Sequence, residues 1–251
     1  MDAQDIKKEV REHYAKIAIA NSSCCGPNCG CGTDDDQAIS LLMNETYKGT
    51  DAGVVAVADL GLGCGTPVDY AELREGMTVL DLGSGAGIDV FIAAKAVGRT
   101  GRAIGIDMTD EMIAKARANR TKLGILNTEF RKGEIENMPV QSDTIDRVVS
   151  NCVINLAPDK QKVFGEIHRV LKPGGRFAIS DIVSRGEIAE EYRKDVDLWS
   201  GCVSGAIDEE IYLQWLRDAG FRDVFVAKEK RYPTGPNIPF QVLSITVTGT
   251  K

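Results

Sequence analysis

The stretch VLDLGSGAGIDV, residues 79–90, decides the fold. It opens as an apolar, β-branched run and then sets Gly83, Gly85 and Gly87 between that strand and a helix, IDVFIAAKAVG at 88–98, closed by Gly98. Glycine at such a junction lets the chain turn tightly, and lets a ligand approach the backbone without meeting a Cβ. The spacing is G-x-G-x-G, with Ile88 where a dinucleotide fingerprint needs its last glycine, which weakens an NAD reading. Asp107, ending the run RAIGID, lies twenty residues past Gly87, where a second strand tip sets a carboxylate against the hydroxyls of a ribose. Together these features call for a nucleoside ligand.

Outward from this stretch, strands and helices alternate. MTVLDLG, RAIGID, NTEFRKG, TIDRVVSN and GRFAISDIV read as strands, followed by RDVFVAKEK and QVLSITVTG. DEMIAKARANRTKLG reads as a helix ending at Gly124, and APDKQKVFGEIHRVLKPGG as one stopped by Pro173 and Gly174. A helical region is expected over about 186–219. The fold class expected is α/β, a doubly wound, mostly parallel, seven-stranded Rossmann-like sheet. At the N-terminus, Ile6, Val10, Tyr14 and Ile17 share one face of an amphipathic helix, expected to lie on the main domain as a lid or brace. NSSCCGPNCGCGTDDD has no periodicity and reads as a loop. The chain divides into an N-terminal helical and Cys-rich extension (1–70), a nucleoside-binding core (71–183), and a C-terminal helical insertion with final strands completing the sheet (184–251).

Of 251 residues, 43% are hydrophobic and 27% charged, with a net charge of −7. That balance disfavours phosphate backbones and anionic membranes as partners. The N-terminal stretch lacks the apolar core of a secretory signal, and no run approaches the length of a membrane span, so a cytoplasmic protein is expected. In that compartment seven cysteines read as thiols for metal or chemistry rather than as disulfides. Cys24, Cys25, Cys29 and Cys31 cluster in CCGPNCGC; Cys64 in LGLGCG, Cys152 in SNCVINL and Cys202 in WSGCVSGA are scattered. Cys152 follows the fourth strand, at the rim where wound sheets bind ligands, and the three together raise the question of a soft ligand. The two histidines, His13 and His168, lie on helices away from that rim and read as structural.

The motifs VLDLGSGAG, GIDMT, GEIE (133–136) and RVLKPGGRFAISD resemble those of class I S-adenosylmethionine-dependent methyltransferases, over roughly residues 70–250. That resemblance implies Asp81, Gly83, Ser84, Gly85 and Gly87 beside the methionine portion of S-adenosylmethionine, Asp107 on its ribose, Met108 against adenine, Glu134 and Ile135 near the adenine edge, and Asn151 among the cofactor contacts. LGLGCG, SNCVINL with the following PDK, and a Cys followed by a GA pair narrow it further: the chain resembles the arsenite S-adenosylmethionine methyltransferases over nearly its whole length. That resemblance implies a tris-thiolate of Cys64, Cys152 and Cys202 holding trivalent arsenic. It also implies a further cysteine from among Cys24, Cys25, Cys29 and Cys31 in a redox cycle, with thioredoxin or glutathione as external reductant, and arsenite or its thiol conjugates as substrate. Thiolate-bound trivalent arsenic keeps a lone pair and loses no proton on methylation, so no histidine base is needed.

Two other readings stand beside this one. A small-molecule C- or O-methyltransferase of the quinone-biosynthesis type shares the RVLKPGG motif but gives no account of the scattered thiols. A thiol-rich metal-binding sensor would hold zinc in CCGPNCGC, where Cys25 and Cys29 have knuckle spacing.

Overall fold

The structure, a computed structural model, describes residues 3–20, 52–186, 188, 205–232 and 240–251. In chain order these form α1 (Ala3–Ala20), α2 (Ala52–Ala58), β1 (Thr78–Leu82), α3 (Ile88–Ala96), β2 (Arg102–Asp107), α4 (Asp110–Leu123), β3 (Thr128–Lys132) and β4 (Ile145–Asn151). There follow α5 (Lys160–Val170), β5 (Leu171–Arg185), α6 (Glu209–Asp218), β6 (Arg222–Tyr232) and β7 (Gln241–Thr250), with short 3-10 turns at Pro67–Tyr70 and Ile154–Leu156.

The seven strands make one sheet in the order β3-β2-β1-β4-β5-β7-β6. β1 to β5 run parallel, and β7 is antiparallel to both its neighbours, so only β7 is reversed. This is the wound, mostly parallel sheet expected, with the tail strands completing it. Side chains alternate across β1: Leu80 and Leu82 face a core shared with α5 and α6, whereas Val79 faces one shared with α2, α3 and α4. After β1 the chain builds outward through β2 and β3, then returns to place β4 on the other side of β1. This reversal opens a crevice at the carboxyl ends of β1 and β4, the place where wound sheets take ligands.

Glycines end α3 and α4 as expected: Gly98 follows the α3 cap with φ +67°, and Gly124 caps α4 with φ +66°. The helix expected to run to Pro173 instead ends at Val170. Leu171 is already extended and pairs with Ile145; the ladder is then irregular until Arg147 pairs with Arg176. Pro173 disfavours a helical Lys172, and the fully buried Leu171 gains more in the sheet than as a further helical residue. Of the helical region expected over 186–219, the described part is α6, capped by Asp208, which accepts the Glu210 N–H at 2.9 Å. α1 buries Val10, Ile17 and Ala18 and lies against α4, with Ile6 and Tyr14 partly buried on the same face. Among the described residues, no helix is long and apolar enough to cross a membrane.

Candidate functional site

The glycine loop is built so that only glycine fits at two of its three positions. Gly83, Gly85 and Gly87 have φ of +63°, +49° and +97°. A Cβ on Gly83 would sit 2.3 Å from Val153 Cγ2, and one on Gly87 2.8 Å from Phe91 and 2.9 Å from Phe130. Gly83 therefore brings the end of β1 into direct contact with the segment after β4, closing the crevice floor. Above it opens a cavity of about 1090 Å³ of non-atom space, counted out to its mouth. Asp81, Gly83, Ser84, Gly85, Asp107, Met108, Glu134, Ile135, Asn151 and Cys152, all singled out in the sequence, line it. Gly87 lies just behind, as the residue preceding α3.

Asp107 has both carboxylate oxygens engaged: the Gly85 N–H donates to Oδ2 at 2.9 Å and the Thr109 N–H to Oδ1 at 2.8 Å. Burial raises its pKa, and these backbone hydrogen bonds pull the other way. It thus orients the glycine loop while lining the cavity. Asp81 is 3% exposed; burial, with the charges of Asp89 and Asp107, pushes its carboxyl well above the usual range. A cluster of buried carboxylates like this favours a cation. Ser84 lines the cavity, and its buried Oγ finds no hydrogen-bond partner among the described residues.

α1 roofs the cavity with Lys7, Val10 and Tyr14. Lys7 Nζ stands 2.7 Å from Glu134 and 2.9 Å from Glu136. Burial pulls the Lys7 pKa down, but the two glutamates outweigh it and the net shift is upward; Lys7 in turn holds Glu134 below the usual carboxylate range. Sequence reasoning missed Lys7 and Asp89 as site residues. A lysine in a charged helix carries no local signal, and Asp89 is hidden in the first turn of α3, although an acid there, directly after a glycine loop, was the clue available.

Two of the three scattered cysteines come together. Cys64 and Cys152, 1% and 4% exposed, share one buried cluster with Val10, Leu156, Ile182 and Tyr232. Cys152 lines the cavity; Cys64 does not, but it follows Gly63 in the chain, which does. Cys202, Cys24, Cys25, Cys29 and Cys31 lie outside the described residues. Cys152 adopts φ +60°, a left-handed backbone rare for a non-glycine residue, and its N–H donates to Ser180 O at 2.8 Å. Asn151 does not simply face the cavity. Its Oδ1 accepts the Cys64 N–H at 3.1 Å and the Gly65 N–H at 3.3 Å, while Nδ2 donates to Gly65 O at 2.9 Å and to Asp89 at 3.2 Å.

Near the thiols lies a buried polar group. Asp181 is fully buried and accepts from Tyr212 Oη at 3.2 Å and from the Ile182 N–H at 3.1 Å. Burial pushes its carboxyl up to about 7, against the pull of Lys160 and of these bonds. Burial and Asp181 also raise the Tyr212 phenol, and Cys64 and Cys152 are near enough to add to it. Neither histidine lines the cavity: His13 packs edge-on to Tyr14, and His168 on Phe221.

The methyltransferase-domain family matches residues 73–220. An arsenite methyltransferase of Halobacterium salinarum is 46% identical over 234 residues, covering 90% of this chain and 60% of that protein. One from Aquipseudomonas alcaligenes is 34% identical, covering 86% of this chain and 62% of its own length. The chain thus spans about three-fifths of the length of these curated relatives. The crystal structure of an arsenic(III) S-adenosylmethionine methyltransferase from Chlamydomonas reinhardtii superposes with a TM-score of 0.71 at 32% identity, covering 85% of this chain and 73% of that one. A family match across more than half the chain, on a sheet of this order, places it: the chain belongs to the methyltransferase-domain family, and the two curated relatives above, which it matches over 86–90% of its length, are arsenite methyltransferases.

Proposed function

We propose that the protein transfers a methyl group from S-adenosylmethionine to trivalent arsenic held by cysteine thiolates. The observation that carries this reading is the convergence of two thiols, far apart in sequence, beside the cavity that the glycine loop and Asp107 enclose: Cys152 on its wall, and Cys64 in the same buried cluster and next in the chain to Gly63, which lines it. The cavity suits the donor. Its glycines leave room for the ligand's backbone approach, Asp81, Asp89 and Asp107 favour a cationic group, and Asp107 presents acceptors suited to ribose hydroxyls. When bound, S-adenosylmethionine supplies an electrophilic methyl on a sulfonium, and trivalent arsenic supplies the lone pair that takes it.

The protein's part is to bind, orient and exclude water. Cys64 and Cys152, with Cys202 as third ligand, hold the soft arsenic. Lys7 with Glu134 and Glu136 keeps α1 over the cavity, shielding it from bulk solvent. No side chain has to remove a proton from the acceptor, consistent with histidines packed elsewhere. Methylation oxidises arsenic by two electrons, so repeated turnover draws on protein thiols, with Cys24, Cys25, Cys29 and Cys31 as candidates, and then on an external reductant such as thioredoxin or glutathione. Placement in the cytoplasm, where such reductants are abundant, belongs to the same reading.

The test is to incubate the protein with labelled S-adenosylmethionine, arsenite and a thiol, and to separate the arsenic species. Labelled methylarsenic is expected. Cys152→Ser removes a soft ligand outright, and its loss should exceed the about 10- to 100-fold typical of losing a mere supporting contact. Unchanged product formation by Cys152→Ser would overturn the reading.

A further inference from the structure

We infer that Asn151 is a positioning residue that ties the loop bearing Cys64 to the donor cavity, so that occupation of the cavity is felt at a thiol that does not line it. The inference rests on the proposed function for the identity of the donor but on this chain's own hydrogen bonds for its geometry.

Asn151 is the last residue of β4, and its side chain faces across the crevice mouth toward the loop at 61–65 rather than along its own strand. Every polar position of its amide is used in a consistent orientation. Oδ1 takes the backbone N–H groups of Cys64 and Gly65 and, at 3.9 Å, the Cys64 thiol, and Nδ2 gives to Gly65 O and to the Asp89 carboxylate. Reversing the amide would set two donors against two N–H groups and an acceptor against a carbonyl and a carboxylate, so the orientation is fixed by its neighbours. The approach is tight: a Cβ on Gly63 would lie 2.8 Å from Asn151 Nδ2. A second anchor holds the loop from behind, where Ser244 Oγ donates to Cys64 O at 2.7 Å.

Asp89 is the other end of the link. It is 3% exposed, lines the cavity, and raises the pKa of Asp81 through its charge. A cation entering the cavity pairs with the Asp89 carboxylate and holds it in place, and with it the acceptor of the hydrogen bond from Asn151 Nδ2. The same amide then holds Gly65 O and the Cys64 N–H more firmly. Cys152, the residue next to Asn151, needs no such relay because it lines the cavity itself. Asn151 thus stands between the two thiols, covalently joined to one and hydrogen-bonded to the backbone of the other.

The experiment measures alkylation of individual cysteines by mass spectrometry, in the full chain, with and without S-adenosylmethionine. In the unaltered protein, S-adenosylmethionine should slow alkylation of both Cys152 and Cys64. In Asn151→Leu, similar in size but without hydrogen bonds, Cys64 should react about tenfold faster without ligand, as local opening of the loop becomes easier, and the ligand should no longer protect it. Asn151→Asp, which keeps the acceptor for Cys64 and Gly65 but turns the donor into a like charge facing Asp89, should lose ligand protection of Cys64 as well. Thermal melting of each variant separates a loosened loop from a lost fold, because a global loss would expose Cys152 to the same degree. Equal Cys64 rates in the unaltered protein and Asn151→Leu, or ligand protection of Cys64 that survives in both variants, would overturn the inference. The readouts are alkylation rates and need no arsenite, so a failed methyl-transfer assay bears on the proposed function and not on this linkage.

Discussion

Cys152 has a backbone φ of +60°, and little in its immediate sequence announces it. A left-handed residue with a Cβ carries about 1–2 kcal/mol of strain, and Asn and Asp tolerate it better than Cys does. The chain accepts the strain because the turn after β4 is held on two sides, by the Cys152 N–H to Ser180 O and by the packing of Val153 against Gly83. A left-handed residue here turns the thiol out of the strand and into the cavity wall, a direction an extended residue at the end of β4 would not give. This local account makes a prediction that does not depend on arsenic. Cys152→Gly and Cys152→Ala both delete the buried sulfur, but glycine also removes the strain. Cys152→Gly should therefore be more stable than Cys152→Ala by about 1 kcal/mol, reversing the usual order of the two residues. Denaturant unfolding of the two variants measures this, and a glycine variant less stable than the alanine one would count against the strain.

Elements explain why much of this fold could be read from sequence. The short strands β1, β2 and β3, each ending at an acid or followed by glycine, alternate with helices ended at Gly98 and Gly124, and those periods carry through to the sheet. The end of α5 was misplaced because Pro173 marks a stop without saying how many residues earlier the helix gives way, and Leu171 is claimed by its ladder partner Ile145. The glycine loop was legible because its requirement is steric and local. The roles of Lys7 and Asn151 were not, because each is defined by partners more than 60 positions away in the chain. The loop itself supports a graded prediction. Gly83→Ala puts a methyl 2.3 Å from Val153 Cγ2 at φ +63° and should cost about 2–4 kcal/mol along with donor binding. Gly85→Ala, whose Cβ would meet nothing nearer than Met112 Sδ at 3.9 Å, carries only the backbone penalty, about 1 kcal/mol. Thermal melts and binding isotherms of the two should separate them in that order; equal effects would mean that the contact with Val153 is not what closes the crevice floor.

At the scale of the whole molecule, charge is concentrated where the sheet reverses. Asp81, Asp89 and Asp107 come from β1, α3 and β2, and the winding of the sheet brings three carboxylates into one buried wall with Lys7 as the lysine lining the same cavity. The net charge of −7 is thus not only a surface property. Empty, the wall cannot easily keep all its charges. Burial first, then Asp89 and Asp107, raise the Asp81 pKa well above its ordinary value, so this carboxyl binds a proton at pH values where a solvated aspartate would not. A cationic donor in the cavity reverses the balance, favouring the ionised form and lowering the Asp81 pKa toward the usual range. Between the bound and the empty pKa of Asp81, binding must therefore release a proton. Affinity for the donor should rise with pH through that window and level off above the empty-site pKa. Calorimetric titration with S-adenosylmethionine in buffers of different ionisation enthalpy reads the proton directly, and Asp81→Asn, which cannot lose one, should abolish most of the buffer dependence while binding more weakly. Binding without proton exchange at any pH above the ordinary aspartate range would mean that Asp81 keeps its charge in the empty cavity. The three carboxylates would then owe their tolerance to water or to Lys7 rather than to a shared proton.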